Sequence, residues 1–293
     1  MSDHEIVGPA SSFYVSQRLK LHFADWGNEE APPLLLVHGG KDHARSWDWT
    51  ARALRGRYHV IAPDLRGHGD SDWAIGGQYT LHEFALDLAQ LIDTLDLAPV
   101  RIVAHSLGAA VSLFYTGIFP DKVSKLVAVE GMGMPQQVMA RVEGPAWEVM
   151  EEWIESVRAC SRREPRRYAT IDEAAARMQS ENAFLSSEQA RHLTVHGVAR
   201  NEDGTFSWKF DNWSRPFFPL RMPRDSIESL WQRIECPTLL IHGTESWHGN
   251  PSKDGRAQFV RNAEVLEVRD AGHWVHHDQL DLFLEAITAF LAD

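Results

Sequence analysis

Cysteine is nearly absent from this sequence. Among 293 residues there are two, Cys160 and Cys236, with no CxxC spacing. That excludes a disulfide framework and makes a reducing, cytoplasmic setting the expectation. Positive charge is also scarce. Lys and Arg number 29 against 41 Asp and Glu, a formal net charge of -12. This argues against a nucleic-acid partner and against an anionic membrane surface. No apolar run approaches the length of a membrane span. The opening "MSDHEIVGPA" has neither a basic n-region nor an apolar h-region, so no secretory signal is read there. There is no internal repeat and no low-complexity tract. The length allows one large core, or a core with an inserted subdomain.

What the sequence does contain is a series of short apolar runs bounded by Gly, Pro and Asp. They are "PPLLLVHGG" (32–40), "YHVIAPDLRG" (58–67), "VRIVAHSLG" (100–108), "KLVAVEGMG" (125–133), "PTLLIHG" (237–243) and "AEVLEVRDAG" (263–272). Nearly continuous apolarity fits strands buried on both faces, as in a parallel sheet. Helical patterns lie between them. In 80–97, Leu81, Phe84, Leu88, Leu91 and Leu95 form one stripe, and Thr80 with Glu83 reads as a capping box. Residues 108–120 follow a strand and end at a proline, and 278–293 close the chain as an amphipathic helix. Strands alternating with helices predict an α/β fold with a mostly parallel central sheet flanked by helices.

The segment from Met134 to Trp231 breaks the rhythm. Trp147, Met150, Ile154 and Val157 recur at helical spacing, and "TIDEAAARM" and "SSEQARHL" each open like a capping box. In "VARNEDGTFSWKF" a polar turn precedes Phe206, Trp208 and Phe210 at period two, a small hairpin. The segment reads as a mainly helical insertion (134–231) in a core formed by 1–133 and 232–293. Its basic run "RACSRREPRRY" is expected to be a solvated surface turn rather than an anion site.

The main chemical signal is Ser106, between a strand and a helix in the frame Ala104-His105-Ser106-Leu107-Gly108. A sharp strand-to-helix turn needs small residues two positions either side of the serine; here Ala104 replaces the usual first glycine of GxSxG. The Leu107 N–H would then point at a developing oxyanion. A second strand ends in His38-Gly39-Gly40, a turn placed to offer another N–H, that of Gly40. His38 and His68 stand in Gly-rich turns, where backbone shape is the simpler reason for the motif.

The succession "HGG", "DLRGHGDSD", "AHSLGAA" and "DAGHW" resembles the α/β-hydrolase fold superfamily, over roughly Leu19–Gly133 and Trp231–Asp293. The resemblance implies that the insertion is a cap domain covering the pocket. It also implies that His273, in the loop before the last helix, is the base for Ser106. The spacing of His273, His276 and His277 could suit a metal, but no other convincing ligand accompanies them. His276 and His277 are expected to be solvated at a helix start, and neither a metal nor a cofactor is expected.

The acid is the irregular member. In many relatives it is an Asp three or four residues past the glycine of the strand matching "PTLLIHG". Here those positions hold Ser246 and Trp247. Glu130 ends the neighbouring strand, where some relatives, among them haloalkane dehalogenases and certain lactonases, carry a Glu. Glu245 is the other candidate. The expected activity is hydrolysis of neutral, apolar carboxylic esters of small to medium size through an acyl-enzyme on Ser106. A lactonase is the alternative; a carbon–carbon bond hydrolase and a receptor-like ligand-binding protein of the same fold stand further off. A serine nucleophile disfavours the dehalogenase and epoxide-hydrolase branches, which use a carboxylate. The chain has eleven tryptophans, and Trp47, Trp73, Trp147, Trp213, Trp247 and Trp274 sit in the insertion or near strand ends; Trp247 and Trp274 are taken as substrate-binding.

Overall fold

The apolar runs become strands whose side chains alternate between two packed faces. Leu35 and Val37 join one buried cluster, while Leu34 and Leu36 join another on the opposite side. A residue every 180° therefore finds a core in both directions, which is why the runs are apolar throughout rather than alternating. The computed structural model describes residues 8–133, 144–214, 219 and 222–292. The start of the expected insertion (134–143) and the first seven residues lie outside the described residues.

Among the described residues ten strands occur in chain order: β1 (Ala10–Ser16), β2 (Leu19–Asp25), β3 (Pro33–Val37), β4 (His59–Pro63), β5 (Val100–His105), β6 (Val123–Val129), β7 (Val198–Arg200), β8 (Phe206–Trp208), β9 (Thr238–Gly243) and β10 (Ala263–Val268). Eight form one sheet in the order β1-β2-β4-β3-β5-β6-β9-β10. β1 pairs antiparallel with β2 and β2 antiparallel with β4; the remaining neighbours run parallel. The β1–β2 hairpin was not anticipated. Its signal is the period-two run Leu19, Leu21 and Phe23, although Leu21–Ala24 are all buried, since this strand is covered on both sides.

Helices α1 (Asp48–Leu54), α2 (Leu81–Thr94) and α3 (Leu107–Ile118) follow β3, β4 and β5, and α8 (Val275–Asp278) and α9 (Leu280–Leu291) follow β10. α2 and α3 cover one face through Phe84, Leu88, Leu91, Val111 and Leu113. α1 and α9 cover the other through Ala51, Leu54, Phe283 and Ile287. Each fully buried Leu or Phe contributes about 1.5–3 kcal/mol relative to its exposed state. No helix among the described residues is long and apolar enough to cross a membrane.

Between β6 and β9 the chain leaves the sheet and forms α4 (Ala146–Ser161), α5 (Ile171–Glu181), α6 (Ser187–Gly197), the antiparallel β7–β8 hairpin and α7 (Arg224–Trp231). α6 opens with a complete capping box between Ser186 and Gln189, and Thr170 caps α5 by accepting from the Glu173 N–H. The box expected at Thr80–Glu83 does not form. Glu83 instead accepts from Arg66 Nη1 at 2.7 Å, because that buried guanidinium has a stronger claim on a carboxylate than a helix N-terminus has. In the basic run 158–168 the first four residues close α4, Cys160 is half-buried and Tyr168 is buried, while 161–167 are exposed; the expected surface turn thus describes only its middle.

Arg66 belongs to the "DLRGHGDSD" loop and is fully buried. Its Nε and Nη2 donate to the two oxygens of Asp87 on α2 at 2.5 and 2.7 Å, and Nη1 also donates to the Gln78 carbonyl. The fork fixes the loop after β4 to α2. Removing the Asp87 charge leaves the buried guanidinium with Glu83 as its remaining carboxylate partner. Asp87→Asn should therefore lower unfolding free energy by about 1.5–3 kcal/mol in urea denaturation, the scale of a hydrogen bond to a charged group; a midpoint unchanged from the wild type would mean the pair does not hold the loop.

Candidate active site

The turn between β5 and α3 puts Ser106 at φ 51°, ψ -115°, a conformation that L-residues other than glycine avoid. The surrounding structure enforces it. The Ser106 N–H donates to the Val129 carbonyl at 2.8 Å, and its carbonyl accepts from the Ala110 N–H at 3.0 Å. Three glycines allow the close approach. A Cβ at Gly108 would lie 2.5 Å from the His38 carbonyl oxygen, at Gly131 2.3 Å from the Ser106 carbonyl oxygen, and at Gly39 2.7 Å from His105 Nδ1. The glycine two positions after the serine is thus required by the backbone at the end of β3 as well as by the turn.

His273 Nε2 lies 2.9 Å from Ser106 Oγ, and its Nδ1 lies 3.4 Å from Glu130 Oε2. With a carboxylate facing Nδ1, the ring proton belongs there, and the Nε2 lone pair faces the serine hydroxyl. The order β5-β6-β9 sets Glu130 at the tip of the strand beside that of Ser106. Glu130 is buried and stands at φ 55°. Its Oε1 accepts from the Gly243 N–H at 2.6 Å, and its Oε2 from the Ser246 hydroxyl at 2.5 Å. His242 Nδ1 is also 2.9 Å from Oε1, although it is not aligned as a hydrogen bond. A cavity of about 10 Å³, room for about one water, adjoins Glu130 and is lined also by His242 and His248. Glu245 faces elsewhere. It is exposed, and its carboxylate accepts from the Thr244 hydroxyl at 3.2 Å.

Leu107 opens α3, where a first-turn N–H has no acceptor within the helix. A Cβ on Gly40 would meet nothing within 4 Å, so this residue borders open space while Gly39 packs under the turn. Trp247 is 66% exposed, with its ring centroid 4.6 Å from that of His273. Trp274 turns away from this stacking; it packs with Leu185, Leu193, Met178 and Trp49 against the insertion. The other tryptophans disperse. Trp47 is fully buried against His276, Trp73 donates to the Lys209 carbonyl, and Trp147 and Trp213 are on the surface. Phe184 of the insertion was not anticipated; it lies against Gly272, beside His273.

The histidines depart from expectation. His276 and His277 are buried, not solvated, because α8 packs them between Trp47, Trp49 and His105. His38 and His68 also do more than share a turn. His38 Nε2 accepts from the Leu65 N–H at 2.9 Å, and its Nδ1–H donates to the Gly39 carbonyl, tying the loops after β3 and β4 together. His68 Nδ1–H donates to the Arg66 carbonyl. His105 Nε2–H donates to the His273 carbonyl at 2.8 Å and anchors the histidine loop. Burial, then nearby imidazoles, push His38 down to about 3. The same causes push His277 down to about 3 and His105 well below the usual imidazole range. Asp42, His105 and His276 offer ligand atoms within 4.8 Å of one another and are the described residues best placed to hold a metal ion near the site. In a second such group, Asp48 is already engaged by Arg45.

The sequence matches the alpha/beta hydrolase fold family over residues 32–280, and the chain belongs to that family. It is similar to the sn-1-specific diacylglycerol lipase of Mus musculus, 26% identical over 276 residues that cover 91% of this chain and 83% of the relative. A Mycobacterium bovis protein is 37% identical over 107 residues, 36% of this chain; that match spans only 31% of the relative's length. Among solved structures, a thioesterase domain from the curacin biosynthetic pathway superposes with a TM-score of 0.83 at 22% identity, covering 96% of this chain and 99% of the other.

A histidine held neutral by burial binds its proton more readily in the unfolded chain. Between about pH 6.5 and 3, unfolding therefore takes up a proton at His277, and stability falls as pH falls through that window. His277→Phe removes this group while keeping a ring among Trp49, Trp274 and His276. Relative to the variant, the wild type should lose up to about 1.4 kcal/mol per pH unit across that window. Parallel pH profiles in urea denaturation would show that His277 is not held neutral.

Proposed function

We propose that the chain is a serine hydrolase that cleaves carboxylic esters through an acyl-enzyme on Ser106. The observation that carries this reading is His273 bridging Ser106 Oγ at 2.9 Å and Glu130 Oε2 at 3.4 Å, all three beyond the C-terminal ends of parallel strands. Ser106 attacks the ester carbonyl as His273 takes its proton. The N–H groups of Gly40 and Leu107 receive the oxyanion. His273 returns the proton to the departing alcohol, then activates water to release the acid. Glu130 fixes the tautomer of His273 and offsets the imidazolium charge. None of these steps calls on a cofactor or metal.

Residues 134–231 act in this reading as a cap that shapes the acyl and alcohol sites. Its docking supports the role: Gln189 Nε2 donates to the His277 carbonyl, His43 donates to the Leu193 carbonyl, and Phe184 reaches the histidine loop. Trp247, exposed beside His273, supplies an apolar wall suited to small and medium neutral esters. The similarity to a diacylglycerol lipase along most of the chain favours ester chemistry. A lactone, an intramolecular ester, would use the same groups, and Glu130 just after β6 favours that as the second reading.

A fluorophosphonate probe should label the wild type and leave Ser106→Ala unlabelled. With p-nitrophenyl butyrate, Glu130→Gln should lower kcat by roughly 10³–10⁴, while Glu245→Gln stays within about twofold of wild type, as surface substitutions generally do. The reverse ranking would move the acid to Glu245. Ring-opening of a γ- or δ-lactone much faster than hydrolysis of the open ester would favour the lactonase.

A further inference from the structure

The loop after β9 holds the place where many relatives carry the acid, and in this chain it does something else. The end of β9 and this loop each supply a donor to Glu130, one at each oxygen: the Gly243 N–H donates to Oε1 at 2.6 Å, and the Ser246 hydroxyl donates to Oε2 at 2.5 Å. The direction of the second bond is fixed. The His248 N–H donates to Ser246 Oγ at 3.1 Å, and a carboxylate can only accept, so the hydroxyl proton points to Glu130. Oε2 is also the oxygen that faces His273 Nδ1.

We propose that Ser246 is a positioning residue for the catalytic carboxylate, a reading that rests on Glu130 being the acid. Glutamate has one more side-chain torsion than aspartate, and here it springs from a residue at φ 55°. Its carboxylate needs restraint to stay in plane with the imidazole. A short, charge-assisted hydrogen bond supplies that restraint at the oxygen His273 uses. His248 is itself held in place: with its one ring proton on Nε2, it donates to the Gly133 carbonyl at 3.0 Å. Ser246 acts through Glu130, so its loss should appear in kcat rather than in KM.

Steady-state hydrolysis of p-nitrophenyl butyrate tests this with Ser246→Ala, Ser246→Thr, Ser246→Val, Glu130→Gln and the Glu130→Gln/Ser246→Ala double variant, each checked for native near-UV circular dichroism. Ser246→Ala and Ser246→Val should lower kcat by about tenfold or more with KM within about twofold, the scale of one lost hydrogen bond to a charged group. Ser246→Thr keeps the hydroxyl and should retain most of kcat. In the Glu130→Gln background, Ser246→Ala should cost nothing further, because the two residues act in series. Wild-type kcat in Ser246→Ala beside an impaired Glu130→Gln would overturn the Ser246 assignment and leave the acid standing. Equal losses for Ser246→Ala in both backgrounds, or equal kcat for Ser246→Thr and Ser246→Val, would overturn it as well. Wild-type kcat in Glu130→Gln would instead overturn the reading of the acid.

Discussion

The structure is organised by the turn that holds Ser106 at φ 51°. A strand that enters a helix with no intervening loop must reverse its backbone within one residue, and the conformation that does so costs on the order of 1–3 kcal/mol. It persists because neighbours leave no alternative. The carbonyl of Val129 on β6 takes the serine N–H, and the loop after β3 presses on the first turn of α3 at Gly108. The elbow thus fixes the spacing of three adjacent strands, and the tips of those strands are where Gly40, Ser106 and Glu130 stand. Positions along the chain that look unrelated are required by one steric problem.

That steric origin explains what could be read from the sequence. Apolar runs bounded by turns report strands buried on both faces, and the small residues around Ser106 report the elbow, because each is a local consequence of packing. The adjacency of Glu130 and His273 is not local. It follows from a strand order in which β6 lies between β5 and β9, and only the resemblance to a known fold supplied that order beforehand. The positions where expectation failed share a cause. Glu83 was drawn from its helix cap by Arg66, His276 was drawn inward by Trp47 and His105, and His277 by Trp49. In each case a partner more than fifteen residues away overrode a local preference. The β1–β2 hairpin was missed for a different reason: its alternation is short, and Gln17 and Arg18, both at positive φ, make a turn without glycine.

The ring of buried histidines behind the elbow is a second long-range feature. His38, His105, His276 and His277 are buried, and none stands in hydrogen-bonding distance of Ser106 in the way His273 does. Their work is done as neutral groups. An imidazole that donates from one nitrogen and accepts at the other can join two loops without the desolvation cost of a charge, as His38 does between the loops after β3 and β4. Asp64 serves the same end with charge. Burial alone would raise its carboxyl, yet the hydrogen bond from His22 and the nearby imidazoles hold it well below the usual range. It accepts from the N–H groups of Ala44 and Asp70 and so secures the two loops that the insertion rests upon. The insertion meets these loops and the histidine loop through contacts from Asp211, Leu193 and Gln189.

The absence of an aspartate after β9 has a physical counterpart in the glutamate that ends the neighbouring strand. The Glu130 carboxylate that faces His273 is buried between β6, β9 and the histidine loop, where an unpaired carboxylate would be expensive. It needs donors, and the vacated loop supplies them: a backbone N–H at Gly243 and a hydroxyl at Ser246. Trp247, the next residue, then has no buried partner to serve and turns outward against the imidazole face. The stretch Gly243–Trp247 is in this sense the complement of Glu130, and a glutamate at the end of β6 makes a small donor, rather than an acid, the residue that fits at position 246.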